Sequence, residues 1–190
     1  MALVVLLRGV NVGGHRAFRP AALAEQLKHI GAVNIGAAGT FVIRQPMAPT
    51  RLRAEHARRL PFETEIVICP GRGIVRLVSQ DVFAHHPARP GIVRFVSVLS
   101  RLPRAVPRLP LSLPSSGPWL VKILARNGRL LVGQYRRQMK TIGYLGMLDR
   151  VFGVPVTTRN WNTITAIAKV LVNGATDPPG ERRRARLINE

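Results

Sequence analysis

LVVLLRGVNVGG, residues 3–14, opens with five uninterrupted apolar residues, continues through a single arginine, and ends in a glycine-rich stretch around one asparagine. An apolar run of that length without polar alternation predicts a buried strand. The glycines behind it predict a loop that turns sharply or lets the backbone come close to another group. Everything that follows is placed relative to this first strand.

Pro20 stands where a first helical residue belongs, and Leu23, Leu27 and Ile30 recur at helical spacing before Gly31. Residues 33–37 and 41–44 read as a pair of short strands or one bent strand, and 50–59 as a helix capped by Thr50. Residues 63–69 read as a strand that ends at Pro70-Gly71; 74–78 read as a further strand, and 79–83 as a short helix. The order strand, helix, strand, strand, helix, strand predicts an α+β chain whose first subdomain, 1–88, is a ferredoxin-like βαββαβ unit with helices on one face of an antiparallel sheet.

The second half starts again with a strand at 92–99. Residues 100–118, rich in proline, serine and arginine, predict a long, extended, mobile connection, and Asn127-Gly128 marks a hairpin between 119–124 and 129–132. Met139, Ile142, Leu145, Leu148 and Phe152 predict one helix; Trp161, Ile164, Ile167, Ala168, Leu171 and Val172 predict a second, capped by Asn160. Residues 89–174 are thus expected to form a smaller second α+β subdomain, and 175–190 a basic, disordered tail.

The 29 lysines and arginines, mostly arginine, against 9 carboxylates give a formal charge of +20. An excess of that size attracts polyanions at long range; a GC-rich genome would also produce it without function. Cys69 is the lone cysteine, so an internal disulfide and a thiolate metal cluster are excluded and a reducing compartment is expected. No apolar run approaches the roughly 20 residues that span a bilayer. A cytoplasmic protein without membrane contact is the expectation.

Gly9 and Gly14 have the glycine spacing of a phosphate-binding loop, but His15-Arg16 stands where lysine and a hydroxyl residue are needed, which argues against nucleotide hydrolysis. The remaining reading is anion binding by Arg8 and the Gly13 and Gly14 backbone, with Asn11 orienting the ligand. The alternative is a purely structural turn. TTRNWNT, residues 157–163, is the second cluster: Thr158, Arg159, Asn160 and Asn162 bring more donors to a helix start than capping requires, while the plain reading is a polar cap with Trp161 as core anchor. The five histidines are scattered and the carboxylates isolated. No catalytic residue, metal site or cofactor is assigned. Nucleic-acid contact is expected from Arg51, Arg53, Arg58 and Arg59, from Arg101, Arg104 and Arg108, and from Arg136, Arg137 and Lys140; few strand aromatics are present for stacking, so phosphate contacts dominate the expectation.

LLRGVNVGG at 6–14 and TTRNWNT at 157–163, with the GVP turn at 153–155, resemble the signature ends of the bacterial family called domain of unknown function 1697. The resemblance spans residues 3–172. It implies an α+β fold with a ferredoxin-like first half and no assigned activity. The chain departs from the family where Ala38-Gly39-Thr40 replaces a Ser-Gly-Asn turn, at His15, and at 135–140, which lack a serine-lysine pair.

The combined expectation is a polar cleft between the glycine loop and residues 157–163. Arg8, Gly9, Asn11, Gly13, Gly14, Thr158, Arg159, Asn160 and Asn162 would line it. Its ligand is anionic and phosphate-bearing, with nucleic acid as one form; the alternative is a transferase-like enzyme acting on a phosphorylated or carboxylated small molecule.

Overall fold

The structure, a computed structural model, describes residues 1–10 and 18–174. The first half comprises β1 (Leu3–Leu7), α1 (Pro20–Gln26), a 3₁₀ turn at Lys28–Ile30, β2 (Ala32–Asn34), β3 (Thr40–Ile43), α2 (Pro49–Ala57), β4 (Ile66–Pro70) and α3 (Gly71–Ser79). β5 (Ile92–Leu99), β6 (Leu111–Leu113), β7 (Val121–Asn127), β8 (Leu130–Arg136), α4 (Thr141–Gly146), α5 (Leu148–Phe152), β9 (Val156–Asn160) and α6 (Trp161–Asn173) follow. β1–β4 form one antiparallel sheet in the order β2-β3-β1-β4, and β5–β9 a second in the order β6-β7-β8-β5-β9. The molecule is a mixed α and β structure.

β1 is buried at all five positions because both faces of its sheet are covered. Leu3, Val5 and Leu7 join Leu23, Leu27 and Leu52 of the α1 and α2 layer. Val4 and Leu6 point the other way, into a core shared with Ile74 and Leu77 of α3, Ile164 and Ile167 of α6, and Val96 and Val98 of β5. α3 and α6 therefore lie between the two sheets, and the far face of the second sheet packs on α5 through Leu148 and Phe152. A strand covered twice has no solvent face, hence its unbroken apolar sequence. Fully burying one such side chain stabilises by about 1.5–3 kcal/mol, far above any difference in strand propensity along the run.

Several sequence expectations are corrected. Residues 74–78 are helical, within α3, despite their β-branched side chains: Ile74 and Leu77 face α6 at i, i+3 while Arg72 and Arg76 remain exposed. Packing against α6 outweighs local preference, and the approach is close, for a Cβ on Gly71 would stand 2.7 Å from Leu171 Cδ2. α3 ends at Ser79, and no helix covers 80–83. α6 starts at Trp161 with Asn160 as its N-cap as expected, but residues 156–160 ahead of it form an unexpected strand, β9, drawn out by pairing with β5. The helix expected from Met139 to Phe152 is two short ones, the 100–118 connection contains β6, and the N-cap of α2 is Ala48 rather than Thr50. The hairpin lies one residue later than expected: Asn127 pairs with Leu130, and Gly128, at φ +58°, begins the two-residue turn. Gly174 follows α6 as expected. The tail, 175–190, lies outside the described residues.

Candidate functional site

β1 and β9 bring the two sequence clusters together. Arg159 is 8% exposed, and its guanidinium is occupied by the protein itself. Nε donates to Thr40 Oγ1 at 2.6 Å, Nη1 to the Thr158 carbonyl at 2.8 Å, and Nη2 to the carbonyls of Leu7 at 2.8 Å, Ala38 at 2.6 Å and Gly39 at 3.3 Å. Burial lowers its pKa to about 10, so it stays charged at neutral pH with carbonyl dipoles around it. The turn at 38–40 is therefore the receptor for this side chain. Gly39 there has φ +65°, and a Cβ would lie 3.0 Å from that of Leu7.

The neighbouring residues are similarly engaged. Thr158 Oγ1 is 2.6 Å from Ser97 Oγ, and the Asn160 side chain accepts from the Thr163 N–H at 2.8 Å as the N-cap of α6. Asn162 is exposed on the first turn of α6. Arg8 Nη2 pairs with Asp149 Oδ2 at 2.6 Å, and Arg8 and Gly9 line a shallow cavity of about 400 Å³ together with Glu63, Thr64 and Glu65. Asn11, Gly13 and Gly14 lie outside the described residues. Leu7, at the end of β1, meets Arg159, but Arg159 serves the fold there rather than a ligand, while Arg8 pairs with Asp149 and has Glu63 and Glu65 beside it.

The basic material on α2 is also largely engaged: Arg53 donates to the Ile66 carbonyl, and Arg58 and Arg59 pair with Glu55. Arg136 lies over the Trp119 ring, 4.8 Å from its centroid. Two larger cavities differ in character. One, of about 550 Å³, opens between α3 and the β7–β8 hairpin and is lined by Arg72, Arg76, Leu102, Asn127, Arg129 and Leu130. The other, of about 620 Å³, is lined by Arg101, Arg104 and Arg150 beside Phe152 and Val154. The segment 101–105 contributes to both, Leu102 to the first and Arg101 and Arg104 to the second, and no carboxylate lines either.

Arg129 in this group is partly structural, its Nε donating to the Leu99 carbonyl and its Nη2 to the Ile68 carbonyl, both at 2.8 Å. Arg72, Arg76, Arg101 and Arg104 are exposed. Arg72, Arg76, Arg129 and Arg150 are absent from the sequence-based site. Arg72 and Arg76 become neighbours only once 71–79 is read as a helix, where i, i+4 positions share a face. Cys69, at the end of β4, is buried; burial pushes its thiol pKa up to about 12, so no thiolate exists at neutral pH. Among the described residues no group of three or more His, Cys, Asp or Glu could hold a metal ion, and no helix is long and apolar enough to cross a membrane.

No protein-family model matches the chain. No curated protein matches it either. Among solved structures the chain is similar to the conserved bacterial protein SP0830 from Streptococcus pneumoniae, with a TM-score of 0.56 over 90% of this chain and 98% of that one. A bacterial protein shares the fold. At 14% identity the likeness concerns the α and β architecture alone.

Proposed function

We propose that this protein binds a phosphate-bearing anionic ligand, nucleic acid by preference, on the arginine-lined surface flanking residues 101–105. The observation that carries the reading is the pair of cavities with six arginines and no carboxylate between them. Cations so grouped raise the local concentration of phosphates, whereas the acidic surroundings of Arg8 do not. The transferase alternative, which needs the cleft between the glycine loop and residues 157–163, is less well supported because Arg159, Thr158 and Asn160 hold other protein groups.

The same reading takes the first half as a ferredoxin-like βαββαβ unit, supported by the strand order β2-β3-β1-β4, and the chain as a relative of the domain of unknown function 1697 family, supported by the meeting of its two signature ends through Arg159 and Leu7. The single buried cysteine fits work in the cytoplasm.

The test is fluorescence anisotropy of a labelled oligonucleotide with full-length protein across a salt series reaching about 150 mM. Arg101→Ala combined with Arg104→Ala should weaken binding about tenfold or more and lower the slope of log K against log salt by about one for each lost phosphate contact. A variant with Arg182, Arg183 and Arg184 changed to Gln separates the contribution of the tail. Binding that disappears at physiological salt, or that depends on the tail alone, refutes the proposal.

A further inference from the structure

The cavity between α3 and the β7–β8 hairpin is more than a cationic surface. Leu102, Leu130 and Pro70 line it beside three arginines, Arg129 on the hairpin and the exposed Arg72 and Arg76 on α3, one helical turn apart. Phosphate contacts need no recess, since cations on a flat or convex face neutralise a backbone equally well, and burying a phosphate against leucine would carry a desolvation penalty. A recess that combines apolar side chains with cations matches a ligand that is itself divided into an apolar, flat body and an anionic group. Its volume of about 550 Å³ lies within the range of small-molecule sites. Leu102 is 62% exposed, an apolar side chain held in water immediately beside Arg101. Asn127, on the hairpin side, offers both an amide donor and an acceptor.

Resting on the nucleic-acid reading above, we propose that this cleft receives one unpaired nucleotide. The base lies against Leu102 and Leu130, Asn127 faces its edge, and the phosphate is held by Arg72 and Arg76. A base inside a duplex is stacked and paired and cannot enter, so the site makes the protein selective for single strands and free ends. The cleft has no aromatic side chain among its lining residues, so selectivity comes from aliphatic contact, which tolerates any base.

Gly73 provides a clean test. It lines the cleft on α3, and a Cβ built there meets only Leu130 Cδ1, at an ordinary 3.8 Å. Gly73→Leu therefore fills the cleft without a clash at Cβ, keeps every charge, and gains helix propensity. Full-length wild type and Gly73→Leu are compared for binding to a single-stranded oligonucleotide and to the duplex of the same sequence at physiological salt. Thermal melting confirms that the variant is folded. The wild type should prefer the single strand by about tenfold, and the variant should lose that preference while its duplex affinity is unchanged. A nucleoside monophosphate should displace the single strand from the wild type at concentrations where inorganic phosphate does not.

Equal affinity for both forms, no effect of Gly73→Leu, or equal displacement by phosphate overturns the nucleotide cleft and leaves the polyanion surface standing. Failure of both forms to bind at physiological salt overturns both readings. Displacement by a mononucleotide with no preference of the protein for the longer single strand over that mononucleotide identifies the free nucleotide as the occupant and overturns the strand as its source.

Discussion

Arg159 Nη2 donates to the carbonyl of Leu7, 152 residues away, at 2.8 Å, so the last strand of the second sheet is tied to the end of the first strand of the first. Ala38, Gly39 and Thr40 accept from the same guanidinium. Removing it with Arg159→Ala leaves buried acceptors without donors, at about 1–3 kcal/mol for each that water cannot reach. Urea denaturation should show a loss of about 3 kcal/mol with an unchanged slope, and Arg159→Lys should recover only part, since an ammonium cannot reproduce the planar fork. Oligonucleotide binding by the folded variant should be unchanged. A stable variant that no longer binds would restore Arg159 as a ligand residue.

Gly133 sits opposite Phe95 in the centre of the second sheet, and a Cβ there would lie 2.6 Å from both the Lys122 carbonyl oxygen and Phe95 Cζ. Neither the backbone nor a fully buried ring can move away freely. Gly133→Ala should destabilise by about 2–3 kcal/mol, lowering Tm by roughly 5–10 °C. A fall of less than about 2 °C would mean that the sheet centre yields far more easily than close packing allows.

The Arg8–Asp149 pair is half exposed, so its coupling in a double-mutant cycle should be small, about 0.5 kcal/mol. Asp149→Ala should nonetheless cost about 1 kcal/mol more than Arg8→Ala, because Asp149 Oδ1 also accepts the Val156 N–H at 3.0 Å. Equal losses from the two single variants would show that this second bond contributes nothing to stability.

His56 is fully buried on α2, its Nδ1–H donating to the Leu52 carbonyl at 3.0 Å and its Nε2 without a partner. Burial, with the nearby charge of Arg59, lowers its pKa below the ordinary value against the raising effects of the Leu52 bond and Glu55. The unfolded chain therefore takes up a proton near pH 6.5 that the folded chain refuses. Stability contributed by the neutral ring is complete above that pH and falls as pH drops from it towards the lowered folded value. His56→Phe should flatten this part of the stability profile, on the acid side of about pH 6.5. An unchanged profile in the variant would assign the acid sensitivity to other groups.

Local chemistry was readable where neighbours in sequence decide the outcome. Leu3–Leu7 is continuously apolar and Ile92–Leu99 is rich in β-branched and other apolar residues, interrupted only by Arg94 and Ser97, so both are strands, and α6 begins where Asn160 can cap it. α3 was misread because Ile74, Val75 and Val78 favour a strand locally, and only the facing surface of α6 makes the helix the better way to bury Ile74 and Leu77. β9 was missed for the same reason, its extended backbone being completed by β5 rather than by anything in residues 157–163.

The sequence by itself determined the buried first strand, the mixed α and β character, the large positive charge and the close relation of two polar clusters to strand and helix ends. Tertiary structure decided which cations are engaged and which are open. A guanidinium near a helix start looks available until carbonyls from distant strands come within 3 Å of it, as for Arg159, while Arg72 and Arg76 gain a common face only from the helix that α6 stabilises. Hydrophobic pattern acts over a few neighbouring residues and is written along the chain; hydrogen-bond saturation of a buried arginine depends on groups that only folding brings together.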